Sequence, residues 1–193
     1  LSGDAGSHRY IQQIFSGLVR FNHDLEVVPD IATWNVSADR TIYTFSISTQ
    51  ATFHNGKKVT ADDFIYSLNR AANPSTGSTT ALDFLGDIAG VQQVINGEAR
   101  HISGLTKIDT NTLQIQLVAP TPYFLQKMTY PAAFVVDKNN VESGHQRWWL
   151  NPVGTGPFQL QKWTANEILV LAKHNGYYGY KANLDNVAFR MYG

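Results

Sequence analysis

The sequence predicts a mixed α/β fold, and three observations carry that prediction. The segment "TIYTFSIS" alternates Tyr43, Phe45 and Ile47 with Thr44, Ser46 and Ser48, the period-two pattern of a half-buried strand. The segment "VTADDFIYSLNRA" places Ala61, Phe64, Ile65 and Leu68 on one helical face behind a capping signal. Strand-like and helix-like stretches follow one another without a regular βαβ repeat, and no internal repeat is evident. A chain of 193 residues can build one good core or two small subdomains.

Taken in order, the spacing of Tyr10, Ile11, Ile14, Phe15 and Leu18 predicts a helix over residues 8–20. Residues 24–30 read as extended or turning, because Pro29 opposes a helix. After the strand at residues 41–48, "HNGK" is a turn in which Asn55-Gly56 favours positive φ. The helix over 59–71 begins at Thr60, with Asp63 placed to complete a capping box. Residues 73–80, "NPSTGSTT", form a polar loop. Residues 81–96 read as an uneven helix with Leu85, Ile88, Val91, Val94 and Ile95 inward, weakened by Gly86 and Gly90.

Residues 105–118 read as a hairpin that turns at 109–112, with Leu113, Ile115 and Leu117 on one face. "TPYFLQKM" starts a short helix with Thr121 as cap and Pro122 in the first turn. "AAFVV" is a buried strand candidate, and "VESGHQRWWL" a loop or irregular helix. "FQLQKW" and "ILVLAK", joined by "TANE", form a second hairpin, and "VAFRMY" alternates as a last strand.

Composition narrows the function. Lys plus Arg and Asp plus Glu both number 15, so the net charge is zero. A nucleic-acid binder normally shows a basic excess or stripe. Only 16% of residues are charged, against about 25% in a usual globular chain. The absence of cysteine removes disulfide scaffolds and thiolate metal sites. No apolar run reaches the roughly 18 residues of a membrane-spanning helix. The start at Leu1 without Met, and the end on a strand without a closing helix, read as the bounds of a processed or trimmed piece.

"NPVGTGPF", residues 151–158, raises the question of a phosphate loop. A P-loop needs a Gly-Lys-Ser/Thr ending, and a dinucleotide fingerprint needs a third Gly and a following helix. Here Gly156 is followed by Pro157, which has no N–H to give a phosphate, and a strand follows. A tight turn remains, with Gly at positions that need positive φ or close backbone approach. His54, Asp62 and Asp63 suggest a metal site only weakly, since carboxylates belong in a first helical turn. The other histidines lack H-x-x-x-H or H-E-x-x-H spacing, and no G-x-S-x-G elbow is present. Trp148-Trp149, Trp163 and Tyr177-Tyr178 are candidates for stacking on a ligand, with core packing the commoner fate. The residues alone favour a binder of polar ligands, with an enzyme or an interaction domain as alternatives.

Several segments in order resemble the family 5 extracellular solute-binding proteins of ABC importers, the oligopeptide, dipeptide and nickel binders. They are "IFSGLVRFN" (14–22), "VVPDIATWNVSADRTIYTFSI" (27–47), "ATFHNGKKVTADDFIYSLNRAANP" (51–74), "ISGLTKIDTNTLQIQLVAPTPYFLQKMTYP" (102–131) and "NPVGTGPFQLQKWTANEILVLAKHNGYYG" (151–179). The resemblance implies the N-terminal lobe of a large two-lobed, periplasmic-binding-protein-like fold, with a mixed sheet and an inserted α/β subdomain. Residues 1–40 would open lobe I, 41–150 form the inserted subdomain, and 151–193 return to lobe I before the crossing to a second lobe. It further implies an extracytoplasmic protein, without catalysis or cofactor, that captures peptides or a similar small polar ligand and delivers them to ABC permease subunits. A lipid anchor upstream of Leu1 fits this reading. So do alternative uses as a ligand sensor or surface interaction domain without transport, and less well a hydrolase. Phe15 and Ser16, at the end of the first helix, and Thr79 and Thr80, in the loop before residue 81, are the implied ligand contacts. The family's frequent Glu before "GLV" is Ser16 here, which removes a charge expected near the cleft.

Overall fold

In the computed structural model the described residues are 5–190, and they form three antiparallel sheets with short helices packed between them. The first helix, α1 (Ala5–Ile14), leads through an extended stretch into β1 (Val19–Phe21), which pairs with β2 (Val27–Pro29). β3 (Ala32–Val36) and β4 (Ile42–Ile47) open a four-stranded sheet. Its order is β3-β4-β6-β5, with β5 (Leu105–Lys107) and β6 (Thr112–Gln116) as the predicted hairpin. Between β4 and β5 lie α2 (Ala61–Ala72), α3 (Ala81–Leu85) and α4 (Val91–Ile95). α5 (Phe124–Lys127), α6 (Lys138–Gly144) and a 3₁₀ turn over His145–Leu150 precede the last sheet. That sheet is β7 (Phe158–Thr164), β8 (Ile168–Lys173) and β9 (Asn186–Arg190).

The strand alternation predicts burial correctly. Tyr43, Phe45 and Ile47 point into the main core beside Leu113 and Ile115, their register partners or near partners on β6. α2 lays Ala61, Phe64 and Leu68 against the same core, and all three are fully buried. Its start is fixed by Asp63, whose carboxylate accepts from the Thr60 backbone N–H at 3.0 Å and the Thr60 hydroxyl at 2.8 Å. Lys57 closes on the same carboxylate at 2.6 Å. A second, smaller core joins α1 to the last sheet through Ile14, Phe158, Leu169 and Leu171.

Four elements differ from the sequence-based expectation. The first helix stops at Ile14, where residues through 20 were expected. The Ile14 carbonyl accepts from Thr155 and Gly156 N–H groups, at 3.0 and 2.8 Å, in place of the i+4 bond that would carry the helix forward. The expected helix over 81–96 breaks into α3 and α4, because Gly90 at φ 89 leaves the helical region and its Cβ position is occupied by Ser103. Tyr123, not Thr121, precedes α5, and the Thr121 hydroxyl donates to the Ala119 carbonyl. "AAFVV" is buried but unpaired as a strand: Pro131–Ala133 is a 3₁₀ turn. Its following N–H groups are used singly, Val135 to the Ser16 carbonyl at 3.1 Å and Val136 to the Ser67 hydroxyl at 2.9 Å. β1 and β3 carry little alternation of their own and escape a sequence reading.

Candidate functional site

The stretch over residues 151–158 is the knot that sets the site. Asn140 holds its entry, accepting from Val153 N–H and donating to the Asn151 carbonyl, each at 3.0 Å. His54 holds its middle. The His54 N–H donates to the Gly154 carbonyl at 2.8 Å, and Gly154 N–H donates back to His54 Nδ1 at 3.2 Å. That leaves the ring proton on Nε2, which donates to the Gly156 carbonyl at 3.1 Å. Gly154 and Gly156 are required for close approach and not for positive φ: a Cβ on either would collide with the backbone of Gln13 or Ile14. Thr155, fully buried, accepts the Ser16 N–H on its hydroxyl at 2.9 Å. The end of α1, the His54 turn and the start of β7 are thereby fixed to one another.

Burial lowers the pKa of His54 to about 4, so the ring is neutral at ordinary pH. The imidazole of His174 stands 4.9 Å away, its own pKa lowered by burial, and its Nδ1 lies 2.7 Å from the Gln159 amide. Among the described residues no three His, Asp or Glu side chains converge as a metal site.

Beyond the knot lies a polar patch. Ser16 is 5% exposed, and its hydroxyl faces Asp30 and the Tyr177-Tyr178 pair. Tyr178 donates to Asp30 Oδ1 at 3.3 Å. Burial raises the Asp30 pKa, opposed by the positive charge of Arg20 and by the hydroxyl donors. Burial, then the nearby Asp30 carboxylate, raises both tyrosines, so they stay protonated donors.

On the other side of Phe15 opens an apolar cavity of 530 Å³ between α1, the 131–136 segment, the 145–150 turn and the β7-β8 hairpin. Phe15, Phe134, Trp148, Trp149 and Trp163 line it. Phe15 meets Trp148 edge to face at 6.0 Å, and Trp149 meets Trp163 likewise at 5.1 Å. Such a cavity suits an apolar side chain or an aromatic group.

Of the four residues singled out in the sequence, Phe15 and Ser16 lie on opposite sides of one short strand-like stretch, the first on the cavity and the second on the polar patch. Thr79 and Thr80 sit in the loop before α3, and neither lines that cavity. Sequence reasoning missed Asp30, whose only signal was a carboxylate after Pro29, and missed the clamp role of His54, which was read as a turn residue and a weak metal candidate.

Comparison with known proteins places this geometry. The model of the bacterial extracellular solute-binding proteins, family 5 (middle part), matches residues 26–193. The periplasmic murein peptide-binding protein MppA of Escherichia coli is 38% identical over 185 residues, 93% of this chain and 34% of its own length. The dipeptide-binding protein DppE of Bacillus subtilis is 34% identical, over 94% of this chain and 34% of its own. Among solved structures, Listeria monocytogenes OppA bound to peptide superposes with a TM-score of 0.93 at 26% identity, covering 99% of this chain and 39% of that one. The E. coli MppA structure superposes with a TM-score of 0.91 at 35% identity, covering 98% and 38%. The chain thus spans about a third of the length of the curated relatives it matches.

Proposed function

The chain belongs to the bacterial extracellular solute-binding proteins, family 5, and from that premise we propose that it is the peptide-capturing part of an ABC importer's binding component, working outside the cytoplasm. The single observation that carries the reading is the superposition, over nearly the whole chain, on a relative whose structure holds a peptide. The family is one of transport binding proteins, and the reading requires no catalysis.

In this proposal the chain supplies one lobe of a two-lobed protein. Residues 1–40 and 151–193 form the lobe proper and 41–150 the inserted subdomain; the separate small core of α1 with β7, β8 and β9 supports the last division. The lobe presents the Phe15–Leu18 stretch to the ligand, and closure of a second lobe over it favours the liganded form by differential binding. Phe15, Ser16, Thr79 and Thr80 are proposed contacts. Phe15 has the most support, since it lines the apolar cavity, whereas Ser16 turns its hydroxyl to the Asp30-Tyr178 patch. Hydrogen bonds to peptide backbone, with side chains received in roomy pockets, suit a binder of low sequence specificity. The partners are a peptide and ABC permease subunits, and a lipid anchor ahead of Leu1 is part of the same reading.

Calorimetry of the full parent polypeptide with a library of short peptides tests it. Saturable binding that Phe15→Ala weakens about tenfold supports the proposal. No heat with any peptide overturns it.

A further inference from the structure

A second cavity, also of 530 Å³, opens between the C-terminal end of α2, the loop near residue 100 and the 145–148 turn. It shares only Arg70 and Trp148 with the apolar cavity. Its lining differs in kind. Arg70, Arg100, His101 and His145 all line it, together with Tyr66 and neutral polar side chains such as Asn73 and Ser75, and none of its lining residues is acidic.

Arg70 is the informative residue. Its guanidinium is half-buried, and burial lowers its pKa. It forms no ion pair among the described residues, and it lies over the face of Trp148, 5.3 Å from the ring centroid. A partly desolvated guanidinium normally has a carboxylate or another acceptor to offset the loss of water. Two carboxylates act on the neighbouring Tyr66, whose pKa is raised by burial first and then by Glu142 and Asp137; Glu142 pairs with Lys138 at 3.7 Å, and Asp137 lies 3.8 Å from Lys57. Lys138 adds its own positive charge over the Tyr66 ring at 5.6 Å. His145, at φ 46 and ψ −128, holds a backbone conformation that L-residues rarely adopt, at the mouth of this same cavity.

We propose that this cavity is a binding site for a small oligoanion, a molecule carrying at least two carboxylate or phosphate groups, which adjoins the apolar cavity beside Phe15 through Arg70 and Trp148. Arg70 supplies a planar pair of donors that matches an oxyanion edge. Trp148 holds that fork in place from behind, and Arg100, near the rim, attracts the second charge. His101, His145 and Tyr66 complete a wall of donors. The macrodipole at the end of α2 works against an anion, but two carbonyls of its last turn are already engaged: Asn73 N–H takes those of Asn69 and Arg70, and the Thr76 hydroxyl takes that of Arg70 at 2.6 Å.

The test uses the full parent polypeptide and two probes, sodium pyrophosphate and sodium citrate, titrated at constant ionic strength against a sodium chloride control. Calorimetry gives the stoichiometry, and amide and indole NMR shifts give the place. One-to-one saturation by either probe is expected, with shifts at Arg70, Arg100, His145 and the Trp148 indole. Binding of pyrophosphate alone assigns a phosphate ligand, and binding of citrate alone a carboxylate. Arg70→Gln and Arg100→Gln are each expected to weaken binding tenfold or more, and Arg100→Gln, on an exposed side chain, leaves circular dichroism unchanged. The proposal is overturned if neither anion saturates at millimolar concentration. Shifts outside this cavity, or affinity unchanged in the folded Arg100→Gln protein and in Arg70→Gln, also overturn it. Peptide binding by the parent is a separate measurement, so either result stands without the other.

Discussion

His54 shows how one side chain can tie distant segments of a chain together. Its ring accepts from Gly154 and donates to Gly156, and only the neutral tautomer does both. The folded pKa of about 4 lies below the ordinary 6.5, so between those values the unfolded chain binds a proton that the folded chain resists. Stability is therefore full above pH 6.5 and falls as the pH drops toward 4, by about 3 kcal/mol at the limit. His174, lowered in the same direction, adds to the loss. Urea midpoints measured from pH 7.5 to 4 are expected to fall, and His54→Gln is expected to flatten that fall while lowering stability at pH 7. A midpoint independent of pH would contradict the clamp. Gly154 gives a second test at this scale. Its Cβ position is filled by the Ile14 carbonyl, so Gly154→Ala must displace the end of α1, at a cost of about 2 kcal/mol or more. Gly56→Ala meets open space at φ +83 and pays only backbone strain, about 1 kcal/mol. Thermal melts of the two variants should separate in that order.

At the scale of elements, α2 was the most legible part of the chain because its signals are local. A cap, a carboxylate three residues on and apolar residues at helical spacing all lie within one segment. The structure adds what the segment cannot show: Lys57 and Asp63 pair at 2.6 Å, and Lys57 also reaches the buried Asp137 at 3.8 Å. Asp63→Ala removes the cap acceptor and strands Lys57 near Asp137. It is expected to lower stability by about 1–2 kcal/mol, more than Thr60→Ala, when both are compared by denaturant unfolding. The elements that misled are those ended or unmade by distant partners. α1 continues by spacing through Phe15 and Leu18, yet stops because the Ile14 carbonyl is taken from residues 155 and 156. "AAFVV" has strand composition, but its N–H groups go to Ser16 and Ser67 instead of a neighbouring strand.

At the scale of the molecule, the last sheet ends on β9, whose outer side pairs with no other described strand. Asn186, Ala188 and Arg190 are exposed along it, and Tyr180 nearby is 97% exposed. An open edge of this kind recruits further strands. The 193-residue chain is expected to self-associate with rising concentration, and Ala188→Lys to reduce that association. Light scattering that shows a monodisperse monomer at every concentration would refute it. The apolar cavity and the cationic cavity belong to this scale as well, since each is assembled from at least three segments that are distant in sequence.

The sequence by itself determined the mixed α/β class, the capped helix, the two hairpins and the family, because each is written in local periodicity or in ordered motifs. It also removed the phosphate-loop reading of residues 151–158, since Pro157 and the missing Lys are chemical facts that need no fold. Only the tertiary structure decided what that stretch does. Its glycines are required by the backbone of α1 lying against them, its threonine by the N–H of Ser16, and its register by the ring of His54 from 100 residues earlier. Hydrogen bonds and steric contacts between distant segments leave no periodic trace. The placement of Phe15, Ser16, Asp30 and Arg70 was therefore settled by packing, where the cost of leaving a buried polar group unpaired selects one arrangement.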